Sequence, residues 1–339
     1  MGSPGLQLAN KILSTGSAIA TDFTNNIAGD LTPDLATRGR VYYDTVSGAL
    51  KYIGYQAAQP GVWAAGGNLG TARFYLGGAG TQTAGLAFGG GGSGGTTGST
   101  EAYNGTAWSG GGNMGAARRA LAGAGTQSAG LAMGGGSSSA TEEYNGTSWA
   151  SGGNLGTARN YLGGAGTQTA GLGFGGYSGG RKNNTEEYDG TSWTTGGNLG
   201  TARYQLAGAG TQTSGLAFGG YGVGGNQNLT EEYDGTAWSA GGTLATARAA
   251  LGGAGTQTAG LAFGGLANSG RSDATEEYNG TSWSSGSILA TARQGLAGAG
   301  IQSSALAFGG APSNGNYSAA TEEYTAVPAQ YVVKTVAAT

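Results

Sequence analysis

The stretch WASGGNLGTARNYLGGAGTQTAGLGFGGYSGGRKNNTEEYDGTSW, residues 149–193, contains every feature that repeats along this chain. After GGNLGTAR come two short segments of small and apolar residues, at 161–166 and 170–176, with a turn between them. A variable segment then leads to TEEY, the pair Asp189-Gly190 and TSW. An Asn-Gly or Asp-Gly pair between two apolar-alternating segments is the strongest short hairpin signal. The stretch therefore predicts four short β-strands.

The same unit occurs six times. Each copy contains a tryptophan, an arginine ten positions later and a large apolar residue fifteen positions after the arginine. The tryptophans are Trp63, Trp108, Trp149, Trp193, Trp238 and Trp283; the arginines are Arg73, Arg118, Arg159, Arg203, Arg248 and Arg293; the apolar residues are Phe88, Met133, Phe174, Phe218, Phe263 and Phe308. A disordered linker has no reason to keep this register, so the chain is predicted to fold although 76 of its 339 residues are glycine. Four strands in each tandem unit are typical of a β-propeller.

The two ends of the repeat predict a closed ring. The sixth copy reaches TEEY at 321–324 with no turn pair and no tryptophan after it, whereas Trp63 arrives with no TEEY directly before it. Residues 61–66 are therefore predicted to be the outer strand of the last blade, because an open solenoid would show capping repeats instead. We predict an all-β fold, a six-bladed β-propeller over 61–327 that is closed by an N-terminal strand.

This pattern resembles the kelch repeat over about residues 61–326. The shared features are an apolar strand ending in Gly-Gly, then a spaced tyrosine, then a tryptophan, with an arginine at the start of the next unit. Tyrosine and tryptophan are only five positions apart here, which predicts a tighter hairpin than many kelch units have. The resemblance implies that the loops between the second and third strands lie together on one face. It implies no particular activity, because one fold hosts many functions.

Composition argues against an enzyme. Cysteine and histidine are absent, which excludes disulfides, thiol nucleophiles, His-based triads and almost every zinc or copper site. Kelch-like oxidases that hold copper need His, Tyr and Cys. The carboxylate pair Glu142-Glu143 recurs in four other blades, so no unique acid, base or nucleophile stands out. We expect no catalytic residues, no metal and no cofactor.

Charge and hydropathy restrict the partners. The 15 basic and 18 acidic residues leave a net charge of −3, so no excess charge attracts nucleic acid or an anionic membrane. No apolar run approaches the roughly 18 residues of a spanning helix, and no secretory signal is visible. We expect neither nucleic-acid binding nor membrane insertion.

Repeated side chains are predicted to hold the blades together. In a two-residue hairpin Tyr144 would lie opposite Thr147, and Glu142 opposite Trp149, so that all four share one face. The six tryptophans and the six tyrosines before the turns should then fill the gaps between blades. Six glutamates recur two positions before those tyrosines, and each is expected to pair with an arginine, because an unpaired buried charge is costly. These glutamates are Glu101, Glu142, Glu186, Glu231, Glu276 and Glu322.

The segments between Phe-Gly-Gly and TEEY are the places where the copies differ, and loops on a rigid scaffold commonly carry recognition. They combine amide groups, a few charges and aromatic rings, a mixture that suits a carbohydrate or a polar protein surface. The candidate ligand-binding residues are Tyr177, Arg181, Lys182, Asn184, Tyr221, Asn226, Gln227, Asn228, Arg271, Asp273, Asn316 and Tyr317. The alternative, that they are neutral turn tips, stays open.

Residues 1–60 precede the repeat and are interpreted as an attachment arm, with a β-hairpin near 40–54 that turns at Ser47-Gly48; residues 328–339 would be a C-terminal tail. The hairpin segment resembles a short motif of phage tail-fibre and other virion proteins, in which GxxYYDT precedes an apolar-basic strand. The resemblance implies a protein of the virion surface, hence extracellular. Its arm would dock on other virion proteins, and its loops would bind a host glycan or protein. A cellular kelch-like interaction scaffold is the alternative, and homo-oligomers remain possible.

Overall fold

The computed structural model describes residues 41–44, 49–56, 59–312, 316–327 and 330–335. Their regular secondary structure is entirely β. No helix of the length and apolarity that a membrane span requires occurs among them. The chain divides into two compact units, Pro60–Ala326 and the combination of Met1–Gln59 with Val327–Thr339.

The larger unit consists of six four-stranded antiparallel sheets, the blades, and each is ordered inner, second, third and outer strand. The inner strands are Gly77–Gly80, Ala122–Gly125, Gly163–Gly166, Ala207–Gly210, Gly252–Gly255 and Ala297–Ile301. The second strands are Gly85–Phe88, Gly130–Met133, Gly171–Phe174, Gly215–Phe218, Gly260–Phe263 and Ser304–Phe308. The third strands are Thr100–Tyr103, Thr141–Tyr144, Thr185–Tyr188, Thr230–Tyr233, Thr275–Tyr278 and Thr321–Val327. The outer strands of blades one to five are Trp108–Gly110, Trp149–Ser151, Trp193–Gly196, Trp238–Ala240 and Trp283–Ser285.

The sixth blade is closed by the N-terminal strand, as predicted. Gln59–Ala65 pairs with Thr321–Val327 as the outer strand of that sheet. The Trp63 ring lies 4.9 Å from the Tyr324 ring, measured between centroids. The Trp63 indole N–H donates to Thr275 Oγ1 of the fifth blade at 2.9 Å. The all-β, six-bladed propeller predicted from the repeat is thus confirmed.

Short two-residue strands occur in several blades, in the second-to-third-strand connections and in the segments just before the inner strands. They are Gly91–Gly92 with Gly95–Thr96, Tyr221–Gly222 with Gly225–Asn226, Arg248–Ala249 with Leu266–Ala267 and Gly270–Arg271, and Arg293–Gln294 with Ala311–Pro312. They give several variable loops a defined backbone, which matters for the site described below.

The register predicted for the outer hairpin is wrong. Tyr144 pairs with Trp149, and Glu142 pairs with Ser151, so the loop has four residues rather than two. Asn145 Oδ1 accepts the backbone N–H groups of Thr147 and Ser148 at 3.0 and 2.9 Å. Because this side chain satisfies those donors, a type I′ turn with positive φ at both central residues is not needed. Thr147 consequently lies exposed in the loop.

The aromatic residues fill the gaps between blades, as predicted. The Trp149 ring lies 5.0 Å from the Tyr144 ring of its own blade and 4.9 Å from the Phe88 ring of the preceding blade. Its indole N–H donates to Thr100 Oγ1, also of the preceding blade, at 2.8 Å. Tyr144 is 2 % exposed and Phe88 is fully buried. The core is therefore divided into six clusters, one at each interface between neighbouring blades.

All six expected arginine–glutamate pairs form, with N–O distances of 2.7 to 3.0 Å. In the first blade Arg73 Nη2 binds Glu101, while Arg73 Nη1 donates to the carbonyl oxygens of Gly89 and Ser99. The other oxygen of Glu101 accepts the Gly70 N–H at 2.6 Å. The pair thus ties the segment around Gly70 and the connection between Gly89 and Ser99 to the blade. The buried charges are tolerated because they are paired and hydrogen-bonded.

The smaller unit contains a three-stranded antiparallel sheet. Val41–Asp44 pairs with Ala49–Gln56, and Asp44 lies opposite Ala49. Gln330–Thr335 pairs with the other edge of Ala49–Gln56, so the segment expected to be a tail contains a strand. Residues 1–40, most of the proposed arm, lie outside the described residues.

Candidate functional site

One end of the propeller carries all the variable loops. The second strand of a blade ends where the antiparallel inner strand begins, so the second-to-third-strand connections lie beside the segments that precede the inner strands. Phe74 and Gly91, for example, exchange two backbone hydrogen bonds of 2.9 Å. We call this end the loop face. It comprises the connections 89–99, 134–140, 175–184, 219–229, 264–274 and, in the sixth blade, 309–312 with 316–320, and the pre-strand segments 74–76, 119–121, 160–162, 204–206, 249–251 and 294–296.

A closed ring of backbone hydrogen bonds surrounds the propeller axis on this face. It is formed by the middle residues of the pre-strand segments, Tyr75, Ala120, Tyr161, Gln205, Ala250 and Gly295. Each N–H donates to the carbonyl oxygen of the preceding member at 2.7 or 2.8 Å, and Tyr75 closes the ring by donating to Gly295. All six residues have positive φ, between 49° and 64°. Five are not glycine, and such strained conformations persist only where the surrounding structure fixes them.

An axial pocket of about 90 Å³ opens at this ring. Its walls are the ring residues, and below them lie six buried leucines, Leu76, Leu121, Leu162, Leu206, Leu251 and Leu296. The Gln205 side-chain amide donates to the Tyr75 hydroxyl at 2.7 Å. Burial raises the pKa of Tyr75 to about 12, with Tyr161 and Tyr204 adding to the increase and Arg119 and Arg271 opposing it. This hydroxyl therefore keeps its proton at neutral pH and can donate it to a ligand.

Seven aromatic rings form a continuous band across the loop face. Tyr317 stacks on Phe74 at 4.8 Å, with 16° between the ring planes. Successive contacts of 4.9 to 6.0 Å between centroids then lead from Phe74 through the axial ring to the loop of the fourth blade. The aromatic band consists of Phe74, Tyr75, Tyr161, Tyr177, Tyr204, Tyr221 and Tyr317.

The band contains every aromatic residue of 61–326 that does not occupy a repeat position. The repeat positions are the blade tryptophans, the tyrosines of the third strands and the phenylalanines before Gly-Gly, which build the core. A random scatter of surface aromatics would have reached both ends of the propeller. Their collection on one face points to a binding site.

The basic residues follow the same distribution. Ten occur in 61–326, and six of these form the buried pairs with glutamate. The other four, Arg119, Arg181, Lys182 and Arg271, all lie on the loop face. Arg119 lies 6.0 Å from the centroid of the Phe74 ring, and Arg181 lies 5.7 Å from that of the Tyr221 ring. Two of the four cations thus pack on rings of the band.

Several buried polar atoms on the loop face have no hydrogen-bond partner among the described residues. They are Asn160 Oδ1, Asn226 Oδ1, Gln294 Oε1 and Arg271 Nε. The remaining unpaired side-chain atoms belong to the repeated arginines. Buried polar groups are nearly always paired in native structures, with protein groups or with ordered water, so these four atoms are exceptions that lie on the loop face.

The structure brings together some of the residues predicted from the variable loops and separates others. Tyr177, Tyr221 and Tyr317 belong to the band, and Arg181 packs on it. Other polar side chains bind backbone carbonyl groups of the protein instead. The Gln227 amide donates to the carbonyl oxygens of Val223 and Gly225, and the Asn228 amide donates to Leu244. The roles of Lys182, Asn184, Asp273 and Asn316 in binding stay predictions.

Sequence reasoning missed the centre of the site, Phe74, Tyr75, Tyr161, Tyr204 and Gln205. The signal was present, because the pattern Ala-Arg-x-x-Leu is constant in all six copies while its two middle residues read FY, RA, NY, YQ, AA and QG. These positions vary as much as the loops do. They were overlooked because they lie within the repeat rather than in a segment of changing length.

No group of three or more His, Cys, Asp or Glu side chains suited to a metal ion occurs within the part of the chain that the structure describes.

Comparison with known proteins identifies the fold. No protein-family model matches the chain, and no curated protein is similar to it in sequence. Among solved structures, that of YjhT, a kelch-like β-propeller protein, is similar with a TM-score of 0.65 and 14% sequence identity. The match covers 79% of this chain and 99% of that chain. This likeness and the six sheets show that the chain is a β-propeller, and they assign it no ligand.

Proposed function

We propose that this protein is a recognition protein of a virion surface, whose loop face binds a glycan of the host and whose N-terminal arm docks on the particle. The aromatic band is the observation that carries the proposal. Tyrosine suits recognition because it offers a large, rigid and amphipathic contact surface at low entropic cost. Amide and guanidinium groups beside it add hydrogen bonds that orient a polar ligand.

The fold itself does not require the band. In the fifth blade the pre-strand segment carries Ala249 and Ala250. Ala250 has φ of 51°, close to the 49° of Tyr75, and takes part in the same hydrogen-bond ring. Since alanine serves the backbone equally well, the tyrosines are left with a role in binding.

Attachment to a particle is supported by residues 39–53, which resemble the short virion-protein motif and contain the strand Val41–Asp44 and the first part of its partner Ala49–Gln56. Deleting residues 1–58 should abolish incorporation into particles while glycan binding by the loop face persists. The deletion must stop there because Gln59–Ala65 closes the propeller.

Binding is tested by applying the full chain to a glycan array. Tyr161→Ala and Tyr204→Ala should each weaken any binding by about tenfold, a loss typical of removing a central aromatic contact. Ile301→Ala is the matched control, because it removes an exposed side chain at the opposite end of an inner strand. Absence of binding to every glycan, or equal losses in all three variants, would refute the proposal.

A cellular kelch-like scaffold that binds another protein is the second candidate. It is favoured by Val223, which is 81% exposed at the tip of the hairpin formed by Tyr221–Gly222 and Gly225–Asn226. An apolar tip of this kind suits a protein partner more than a sugar. A chain that never associates with particles and binds no glycan would support this reading.

A further inference from the structure

We infer that the ligand of the loop face is an extended acidic glycan, whose sugar rings lie along the aromatic band and whose carboxylate or sulfate groups bind the flanking arginines. This inference rests on the proposed glycan binding and names its chemical class.

The first argument is the distribution of charge. Residues 61–326 contain fourteen acidic and ten basic residues, so the propeller as a whole is acidic. Its loop face is the exception, because all four unpaired cations lie there and Asp273 is the only acidic residue in the segments that form it. A positive surface on an acidic protein favours an anionic partner.

The acidic residues are engaged elsewhere. The second glutamate of each TEEY accepts a hydrogen bond from the tyrosine hydroxyl of the next blade, as Glu187 does from Tyr233 at 2.5 Å. Asp189 and Asp234 accept backbone N–H groups in the outer hairpin turns. These carboxylates therefore do not neutralise the loop-face arginines, which can pair with the anionic groups of a ligand instead.

The second argument is the position of the cations. Arg119 packs on Phe74 in one part of the band, and Arg181 packs on Tyr221 at its far end. An arginine that stacks on an aromatic ring still presents donors for bidentate binding of a carboxylate or sulfate. Because the band crosses the axis from the loop of the sixth blade to that of the fourth, a chain of several sugars engages both ends whereas a monosaccharide engages one.

The third argument is the chemistry of the unpaired buried atoms. Asn160 Oδ1, Asn226 Oδ1 and Gln294 Oε1 are acceptors, and sugar hydroxyl groups are donors that suit them. Arg271 Nε is a donor that suits an anionic oxygen. A polar ligand that reached these atoms would pair them, whereas an apolar peptide offers them no partner.

The test is calorimetric titration of the full chain with three polymers: sulfated heparin, carboxylated polygalacturonate and neutral dextran. Each is measured at low and high ionic strength. We expect one or both acidic polymers to bind and dextran to bind at least tenfold more weakly, and the preference to shrink at high salt because exposed charges are screened. Heparin alone would identify sulfate as the recognised group, and polygalacturonate alone would identify carboxylate.

Variants separate charge from shape. Arg119→Gln combined with Arg181→Gln should weaken acidic-polymer binding by about tenfold or more, as expected for lost charge-assisted hydrogen bonds. Arg119→Lys combined with Arg181→Lys keeps the charge but loses the bidentate geometry, so it should weaken binding less than the glutamine pair does; both pairs should unfold at the same temperature as the parent chain.

The outcomes distinguish the two proposals. Glycans that bind through the tyrosines without preference for acidic polymers would refute the acidic-ligand inference and leave glycan recognition standing. Failure of all three polymers and of the glycan array would refute both. Acidic polymers that bind equally well to the glutamine pair would place the anion site elsewhere and overturn the inference.

Discussion

At the scale of single residues, the repeated arginines and glutamates of the propeller have a structural role. Arg203 is fully buried, and its Nη2 lies 3.0 Å from Glu231. Burial lowers the pKa of Arg203 to about 10, while Glu231 opposes the decrease, so the arginine stays charged at neutral pH. Its other amino group donates to the carbonyl oxygens of Gly219 and Leu229. One side chain thus fixes a loop and a strand together.

Replacing this arginine should be far more damaging than replacing a loop lysine. Arg203→Ala leaves Glu231 buried without its partner and should cost about 3–5 kcal/mol of unfolding free energy. Lys182→Ala removes a solvated charge and should cost about 0.5 kcal/mol or less. Chemical denaturation of both variants measures the difference, and equal midpoints would contradict the structural role of the pair.

Tyrosine hydroxyls between blades should make the fold sensitive to alkali. Burial, followed by a hydrogen bond to Glu187, raises the pKa of Tyr233 to about 12, and Tyr278 behaves in the same way with Glu232. The unfolded pKa is about 10, so the folded state holds these protons more tightly. Their contribution is fully present below pH 10 and is lost as the pH rises through about 12. Urea midpoints measured across this range should fall, and Tyr233→Phe should reduce the slope; a flat profile would contradict the shifts.

At the scale of the blade, one missing glutamate removes a hydrogen bond between two neighbouring blades. Five third-strand tyrosines donate to a glutamate of the preceding blade, such as Tyr188 to Glu143 at 2.5 Å. Tyr144 has no such glutamate, because position 102 is alanine. Ala102 nevertheless packs in the same cluster as Tyr144. The first and second blades therefore lack one of the bonds that join the other neighbours.

Restoring that bond should stabilise the protein. Ala102→Glu places a carboxylate where the other blades have one and should add about 1 kcal/mol to the unfolding free energy. The gain should disappear in the background Tyr144→Phe, which removes the donor. A double-mutant cycle by urea unfolding measures the coupling; the same gain with and without the hydroxyl would show that the bond does not form.

At the scale of the whole molecule, the ring is closed by a strand that is covalently attached at only one of its ends to the rest of the propeller. Trp63 repeats the contacts of the other tryptophans, with Tyr324 and Phe263 at 4.9 and 5.2 Å. In the same blade Arg293 Nη1 has no partner among the described residues, whereas the equivalent atom of Arg73 donates to two carbonyl oxygens. Arg293 of the closing blade thus makes fewer hydrogen bonds within the described residues than Arg73 does.

Loss of the closing tryptophan should open the ring locally. Trp63→Ala should release Gln59–Ala65, so that hydrogen exchange accelerates there and in Thr321–Val327. Trp238→Ala removes an equivalent ring from a strand held by the chain at both ends, and it should lower stability without exposing that strand selectively. Identical exchange patterns in the two variants would argue against closure by the N-terminal strand.

The sequence by itself determined the number of blades, the closing strand and the buried arginine–glutamate pairs. It could do so because the packing between blades requires the same residues at the same spacing in all six copies, and this constant spacing is visible as a repeat in the sequence. The sequence did not predict the hairpin register correctly. The Asn-Gly pair indicates a two-residue turn, but Asn145 Oδ1 accepts the backbone N–H groups of Thr147 and Ser148 and so stabilises a longer loop.

Only the tertiary structure decided where the proposed binding surface lies. Tyr75 and Tyr204 are far apart in the chain and lie in otherwise constant segments, so neither periodicity nor loop length distinguishes them. Closing the ring brings the six pre-strand segments to one axis, where their variable side chains meet across blades. Ring closure creates such a surface, because its members come from different repeats; the variable pair within Ala-Arg-x-x-Leu marks the positions in the sequence but not their meeting at one axis.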